Sequence, residues 1–477
     1  MTEQSLNKSR TKSLAVDTGL FAISNFGSKI LLFLLTPLYT SILATTDYGV
    51  ADLINTTINM VYPVLTLAIA DATLRFALDK ETDKKVVLSN SLIITLISIL
   101  ILCIIKPALI LIDSSLNDFW ICFVVTYALS NISGCFTNFL KGIGKTALFA
   151  IQGIVQTIVT IVCNIVFLVV LRIGLNGYLL SIIIGYCIPI ILMFFGGKIY
   201  KYCFPIRFNS ALLKEMLIYS IPMIPTILAW FINTSIDKYM IINISGLGVS
   251  GVYSVAHKIP TIITTILNIF LSAWQISAIR SQEDSDKSMY FSKVYAGLHF
   301  VSITGFMLTM MLTKPVASFL FKKEFYDAWI FVPALCLAAV FSSYSGFLAA
   351  AYRAAKKTTS LFVSVAIGAV VNIVLNFILL NTMGTIGASI ATAVSFFVVW
   401  ISRYIMVQKL VSINIGVLRT VISTMAIFVA AILVVLEIKY SIVFILFLYL
   451  IVVFLFRNEI KDLVVFGKSL LKGKKRK

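Results

Sequence analysis

Of the 477 residues 60% are hydrophobic and only 12% charged, with a formal net charge of +19 and a mean hydropathy of +1.00. A packed soluble domain carries about a quarter charged residues, so these values exclude a water-soluble globular protein. Continuous apolar windows of about 20 residues, enough to cross about 30 Å of hydrocarbon as helix, recur from end to end. They do not alternate, which excludes a β-barrel.

In chain order the windows predict an all-α integral membrane protein with fourteen transmembrane helices, near 14–43, 50–77, 86–112, 119–140, 147–171, 178–197, 215–242, 249–279, 290–312, 325–352, 358–380, 384–408, 418–436 and 440–456. The polar stretch 1–17 precedes a first span too long for a signal-peptide core, so it is expected to stay uncleaved. Along that span Asn25, Lys29, Thr36 and Thr40 share one helical face. Lys29 either snorkels to the interface or faces a wet cavity, and the polar stripe around it favours the cavity. Span 2 carries a similar face, Asn55, Asn59, Tyr62, Thr66 and Thr73. Near its end Asp71 and Arg75 stand four apart, where a local ion pair is the default. Pro37 and Pro63 are expected to bend these two spans.

An internal echo begins at span 5. Lys145-Thr146, Val162 and Asn164 return 212 positions later as Lys357-Thr358, Val374 and Asn376, followed by Gly174 and Gly177 in one copy and Gly384 and Gly387 in the other. A fixed offset of this kind indicates duplication. Because it spans six predicted helices, an even number, the halves are expected to be parallel rather than inverted. Gln152, Gln156, Asn164, Asn372 and Asn376 read as interhelical glue.

Span 7 contains Pro222 and Pro225 near its start and a polar face of Thr226, Trp230, Asn233 and Asp237; span 8 has the longest one, Tyr253, His257, Thr261, Thr264, Asn268, Ser272 and Gln275. For any single residue interhelical hydrogen bonding suffices, but four stripes on spans 1, 2, 7 and 8 together favour a shared polar cavity. Asp237, His257 and Lys258 fall at similar depth in the outer half. They form either a static ion pair or a proton-coupling group, since a histidine there changes charge near neutral pH. His299 stands alone in an apolar span and reads as a packing residue. The seven cysteines make neither a metal spacing nor a disulfide framework.

Counting Lys and Arg in alternate loops gives 29 on one side and 6 on the other, so both termini are expected to be cytoplasmic. The basic tail at 472–477 then suits anionic lipid rather than nucleic acid. The sequence has no GxxxxGK[ST], HExxH or CxxC, so no ATP motor, metal centre or cofactor is implied.

Several of these segments together resemble a known family. Ser24-Asn25-Phe26-Gly27-Ser28-Lys29, Leu35-Thr36-Pro37 and Thr46-Asp47-Tyr48-Gly49 look like the opening of bacterial Wzx-type polysaccharide flippases. Pro222-Met223-Ile224-Pro225, Asp237-Lys238-Tyr239, Gly251-Val252-Tyr253-Ser254 and Ala273-Trp274-Gln275 extend the likeness. These flippases belong to the multidrug/oligosaccharidyl-lipid/polysaccharide exporter superfamily. The resemblance implies a MATE-like fold of two six-helix lobes, 1–200 and 201–410, enclosing a cavity lined by spans 1, 2, 7 and 8, with spans 13 and 14 (411–457) guiding a polyprenyl tail and 458–477 a cytoplasmic tail. In the lipid II flippase an arginine stands at the place of Lys29 and another one to two turns on, where this chain has Leu34 and Leu35; lipid II itself is therefore a poor candidate cargo.

The implied function is not enzymatic. It is translocation of undecaprenyl-diphosphate-linked oligosaccharide from the inner to the outer leaflet of the bacterial cytoplasmic membrane by alternating access, coupled to an ion through Asp237, His257 or Asp71. Diphosphate requires cations, for which Lys29, Arg75 and Lys258 are available, and sugar hydroxyls require hydrogen-bonding partners. Asn25, Asn55, Asn59, Tyr62, Trp230, Asn233, Tyr253, Asn268 and Gln275 are the candidates. The protein is expected to act as a monomer among membrane lipids, with other polysaccharide assembly proteins as candidate partners. A MATE-type cation/drug antiporter is the rival, but such an exporter needs unpaired intramembrane acids, whereas here bases outnumber them.

Overall fold

The computed structural model describes residues 27, 29–281, 286–355, 357–414 and 416–457, so Asn25 lies outside the described residues. In chain order the helices are α1 Lys29–Ile42, α2 Thr45–Leu65, α3 Ile69–Leu78, α4 Lys84–Ile104, α5 Trp120–Gly142, α6 Thr146–Asn164 with a π-helical turn Ile165–Val170, and α7 Leu175–Gly196. They continue with α8 Ser210–Ser220, α9 Ile224–Ala256, α10 Lys258–Arg280, α11 Lys287–Leu320, α12 Val332–Ala354, α13 Thr358–Met383, α14 Thr385–Val407, α15 Val417–Val435 and α16 Ser441–Leu455. No strand occurs among the described residues. Helix is what a chain in hydrocarbon must adopt, since each amide then bonds within its own segment.

By length and composition ten helices among the described residues can cross a membrane, or eleven if α2 and α3, bent by 60°, count as one span. The expected fourteen is not what these criteria return. Ser210–Ile279 registers as one 70-residue stretch although Gly246 breaks it between the two spans expected there, the expected first span 14–43 lies partly outside the described residues, and the apolar α16 is shorter than spanning length. The all-helical, multi-pass membrane class stands.

Breaks in the helices follow local chemistry. Pro63 lies in the last turn of α2, after which Leu67 and Ala68 both adopt left-handed φ, 52° and 51°, and the chain turns into α3. The carbonyl of Leu67, freed by this bend, accepts a hydrogen bond from Ser220 Oγ at 2.7 Å. Pro222 sits in a 3₁₀ turn, Ile221–Met223, that separates α8 from α9. Within α9, Gly246 (φ 86°, ψ 170°) interrupts the helical dihedrals.

Packing divides the chain into two compact units, Met1–Phe231 with Leu247–Gly251, and Ile232–Gly246 with Val252–Lys477. In the first, Ile69 and Ala72 of α3 pack with Val87 and Leu88 of α4, Phe136 and Phe139 of α5 and Met193 of α7, all buried. In the second an aromatic core forms: Trp274 stacks on Phe347 at 4.3 Å, and Phe341 on Trp400 at 5.5 Å. His299 belongs to this core, stacked on Tyr344 at 4.6 Å with Nε2 2.9 Å from Ser423 Oγ. Between helices in lipid such close contacts and hydrogen bonds take the place of hydrophobic driving force.

The sequence echo is reproduced in backbone geometry. Lys145 N–H bonds the carbonyl of Leu140 at 2.8 Å, and Lys357 N–H bonds that of Tyr352 at 2.9 Å, again 212 residues apart. Asn164 Nδ2 donates to Thr160 O and Asn376 Nδ2 to Asn372 O, and in both the Oδ1 is buried without a partner. Gly174 (φ 62°, ψ −137°) and Gly384 (φ 64°, ψ −155°) open α7 and α14 in a region only glycine enters without strain. Gly177 packs on Phe167 and Gly387 on Leu379; the packing partners are 212 residues apart and the glycines 210. The two residues by which the first copy is longer therefore lie between Phe167 and Gly177, where the π-turn falls.

Gly384→Ala is expected to lower the stability of the folded protein by about 1–3 kcal/mol, the cost of forcing a side chain into that region, read from its unfolding midpoint in detergent. An unchanged midpoint would show that the α13–α14 corner does not require this conformation.

Candidate functional site

In the first unit the predicted residues form two groups. Lys29 is exposed at the start of α1, while Thr36 and Thr40 on the same stripe are fully buried. On α2, Asn59 is exposed, Asn55 and Tyr62 are half-buried, and Asn55 Nδ2 donates to Ala51 O at 3.0 Å. Thr73, also assigned to this stripe, is instead buried against α4, 2.7 Å from Ser91 Oγ. Trp230 of α9 is half-buried.

Asp71 and Arg75 do not pair. Among the described residues no ion pair joins them, Arg75 is exposed, and the cation whose charge acts on Asp71 is Lys141 of α5. The i, i+4 spacing permitted the contact. It could not reveal that α5 presents a competing lysine from outside the local helix.

In the second unit the structure builds a buried, acid-centred cluster. Asp237 is 1% exposed, and its Oδ2 accepts from Tyr253 Oη at 2.5 Å and from Thr392 Oγ1 at 3.1 Å. Its Oδ1 accepts the backbone N–H of Lys238 at 3.0 Å. Behind Thr392, Asn372 Nδ2 reaches Thr392 Oγ1 at 3.5 Å and Ser395 Oγ at 3.4 Å, and Asn376 Nδ2 bonds Asn372 Oδ1 at 3.0 Å. His257 lies edge-on to Tyr253 with ring centroids 5.1 Å apart. Asn233, one turn before Asp237, is buried and donates to Val365 O at 3.0 Å.

Such convergence of α9, α13 and α14 needs a small residue at the crossing. A Cβ on Gly368 would stand 2.3 Å from Val399 Cγ2 and 2.9 Å from Asn233 Oδ1. Asp237 forms no ion pair with Lys258 among the described residues; two hydroxyls and the backbone N–H of Lys238 hold it, and the cation whose charge acts on it is Lys238. The alternative of a static Asp237–Lys258 pair is therefore not what the structure contains. Thr392 was absent from the candidate residues, and Asn372 and Asn376 were read only as glue. The available signal was the surplus of amides on span 11, but nothing local ties span 12 to span 7.

Along α10 the predicted face is largely open. Thr261, Asn268 and Ser272 are exposed, and the hydroxyls of Thr261 and Ser272 bond carbonyls one turn back in their own helix, at 2.7 Å each, rather than another helix. Lys258 and Gln275, near its two ends, are half-buried. Arg403, one of the 29 basic residues counted to the cytoplasmic side, lies not in a loop but within α14, 2% exposed, with Nε bonded to Ser364 Oγ and Nη1 to Ser345 O, both at 2.9 Å.

Two sequence-related repeats of membrane-length helices, a buried acid and an open polar helix face define a multi-pass membrane protein. Residues 14–276, more than half of the chain, match the family described as polysaccharide biosynthesis protein, and the chain belongs to that family. It is 26% identical over 290 residues to an uncharacterised membrane protein of Methanocaldococcus jannaschii, covering 57% of this chain and 67% of that protein. Among solved structures it resembles the lipid II flippase MurJ in an inward closed conformation, with TM-score 0.70 at 16% identity over 92% of this chain and 99% of that one. It also resembles an inward-facing multidrug resistance MATE transporter of the MOP superfamily, with TM-score 0.69 at 13% identity over 82% of this chain and 98% of that one. The fold is that of this superfamily of transporters and flippases.

Thr392→Val keeps the side-chain shape but removes a donor to a buried carboxylate, so it is expected to destabilise the protein by about 1–3 kcal/mol. Measured with Asp237→Asn in a double-mutant cycle, the two changes should be non-additive. Additive unfolding midpoints would show that Thr392 and Asp237 are not coupled.

Proposed function

We propose that this protein moves an undecaprenyl-diphosphate-linked oligosaccharide from the inner to the outer leaflet of a bacterial cytoplasmic membrane, by alternating access and with both termini cytoplasmic. The observation that carries this reading is the exposed polar face of α10, with Thr261, Asn268 and Ser272 open on a membrane-length helix. Polar groups are costly against hydrocarbon, so such a face is explained by water or a polar solute. Sugar hydroxyls are solutes of that kind, and the family's description ties the chain to polysaccharide synthesis. The flippase of similar fold is named for lipid II, and the likeness covers 92% of this chain.

In this reading Lys29, Arg75 and Lys258 attract the diphosphate, and Asn25, Asn55, Asn59, Tyr62, Trp230, Asn268 and Gln275 meet the sugars. The tail stays in lipid along α15 and α16, and the protein works as a monomer. Tyr253, buried on Asp237, serves that cluster rather than the sugar, and Asn233, buried with its amide on Val365 O, is likewise withdrawn from the sugar. That cluster is the coupling site. One carboxylate among hydroxyls and amides suits a proton or a hard monovalent cation, not a transition metal, which prefers several nitrogen or sulfur ligands. His257 and Asp71 are secondary candidates. The similarity to a multidrug transporter, TM-score 0.69, keeps a cation antiporter as the second reading. It predicts export of organic cations and no dependence on Lys29.

Purified protein in vesicles should translocate a fluorescent prenyl-diphosphate oligosaccharide, and Lys29→Ala should slow it by about tenfold or more, the loss of one charge-assisted phosphate contact. Wild-type rates in Lys29→Ala at equal abundance would remove the cationic path. An imposed proton or Na⁺ gradient should accelerate the wild type and not Asp237→Asn; indifference of the wild type to both gradients would remove the coupling role.

A further inference from the structure

Arg353 lies in the last turn of α12, is exposed, and donates through Nη1 to Gln275 Oε1 at 2.8 Å. Gln275 is the final member of the open α10 face, so the contact joins an arginine counted as a loop residue to the proposed substrate path. Behind it lies the buried Arg403, and the two guanidiniums act on one another as like charges. Arg353 forms no ion pair among the described residues.

The duplication makes this arrangement informative. Counting back 212 residues from Arg353 gives Lys141, which in the first unit acts on the carboxylate of Asp71. A cation at the same repeat position is thus balanced by an acid in one unit and faces a neutral amide in the other. A guanidinium has five donors in a planar fork, and Arg353 commits one of them to Gln275. The remaining edge fits the bidentate geometry that arginine offers to phosphate. Two neighbouring like charges repel in weakly solvated surroundings, and a dianion beside the exposed one converts that repulsion into attraction for both.

We propose that Arg353, seated on Gln275 and backed by Arg403, is a receptor for the diphosphate group of a prenyl-diphosphate substrate. This rests on the flippase reading and adds to it a cation from the opposite end of α10 to Lys258. The site binds the diphosphate rather than the sugar or the tail, so a prenyl diphosphate lacking sugars should occupy it.

The test uses purified full-length protein in detergent with farnesyl diphosphate as probe and calorimetry as readout. Arg353→Ala and Gln275→Glu are each expected to weaken binding by about tenfold or more, and Arg353→Lys by less, because a lysine supplies charge without the fork. Gln275→Glu copies the balanced arrangement of the first unit and retains the side-chain volume, so it carries the test if Arg353→Ala does not fold. Wild-type affinity in both Arg353→Ala and Gln275→Glu, or in Gln275→Glu alone if the alanine variant fails to fold, overturns the proposal. Arg353-dependent binding in a protein that does not flip prenyl-diphosphate oligosaccharides in vesicles overturns the flippase reading and leaves the anion site. No binding of farnesyl diphosphate by the wild type overturns the proposal, and the vesicle assay then decides the reading independently.

Discussion

A peptide backbone in hydrocarbon has no water to satisfy its amides, so every departure from helix inside this protein needs a substitute partner or a residue that tolerates the conformation. The described residues obey this closely. At the α2–α3 bend the freed carbonyl of Leu67 is taken up by Ser220 Oγ, and at the repeat corners glycine at 174 and 384 adopts dihedrals closed to other residues. The rule also sorts the polar side chains. Many serines and threonines bond a carbonyl one turn back, as Thr73 does to Ile69 O and Ser181 to Gly177 O, and so add no unpaired group to the interior.

Asp237 shows how the same constraint admits an acid. A buried carboxylate can be matched by a cation, but such a pair is fixed in charge and costly to break. Here Oδ1 takes a fixed backbone N–H from Lys238, whose charge also acts on the acid, while Oδ2 takes two hydroxyls, whose hydrogens rotate to donate or leave room for acceptance. An environment of this kind tolerates a change in what the carboxylate holds, which an ion pair with Lys258 would resist. The first unit uses its acid differently: Asp71 lies within reach of Lys141's charge and has the character of a structural counter-ion.

Much of this was legible in the sequence because it is periodic. Apolar windows gave the helices, the 212-residue echo gave the corner that recurs at Lys145 and Lys357, and faces at helical spacing singled out Asn59, Asn268 and Ser272, which are exposed. What was not legible depends on which helices meet. Thr36 and Thr40 on the polar face of span 1 and Thr73 on that of span 2 are nevertheless buried, and only the packing of α3 against α4 explains Thr73. Arg403 falls near the end of a span, where counting assigns it to a loop. Its side chain turns inward to Ser345 and Ser364, partners 58 and 39 residues away. Within Ser210–Ile279 the crossings are marked by a single residue, Gly246, whose non-helical dihedrals separate the spans expected at 215–242 and 249–279.

The π-turn at Ile165–Val170 has a consequence for how alike the two halves can be. Widening a helix by one residue rotates everything after it by about 100° relative to an uninterrupted helix. In this chain the rotation is not passed on, because the helix ends at Leu171, directly after the π-turn. Both copies reach the next helix in the same state: Gly174 and Gly384 share their dihedrals, and Gly177 and Gly387 pack on the equivalent residues Phe167 and Leu379. The corner absorbs the two surplus residues, so one repeat has changed length without changing how its two helices meet.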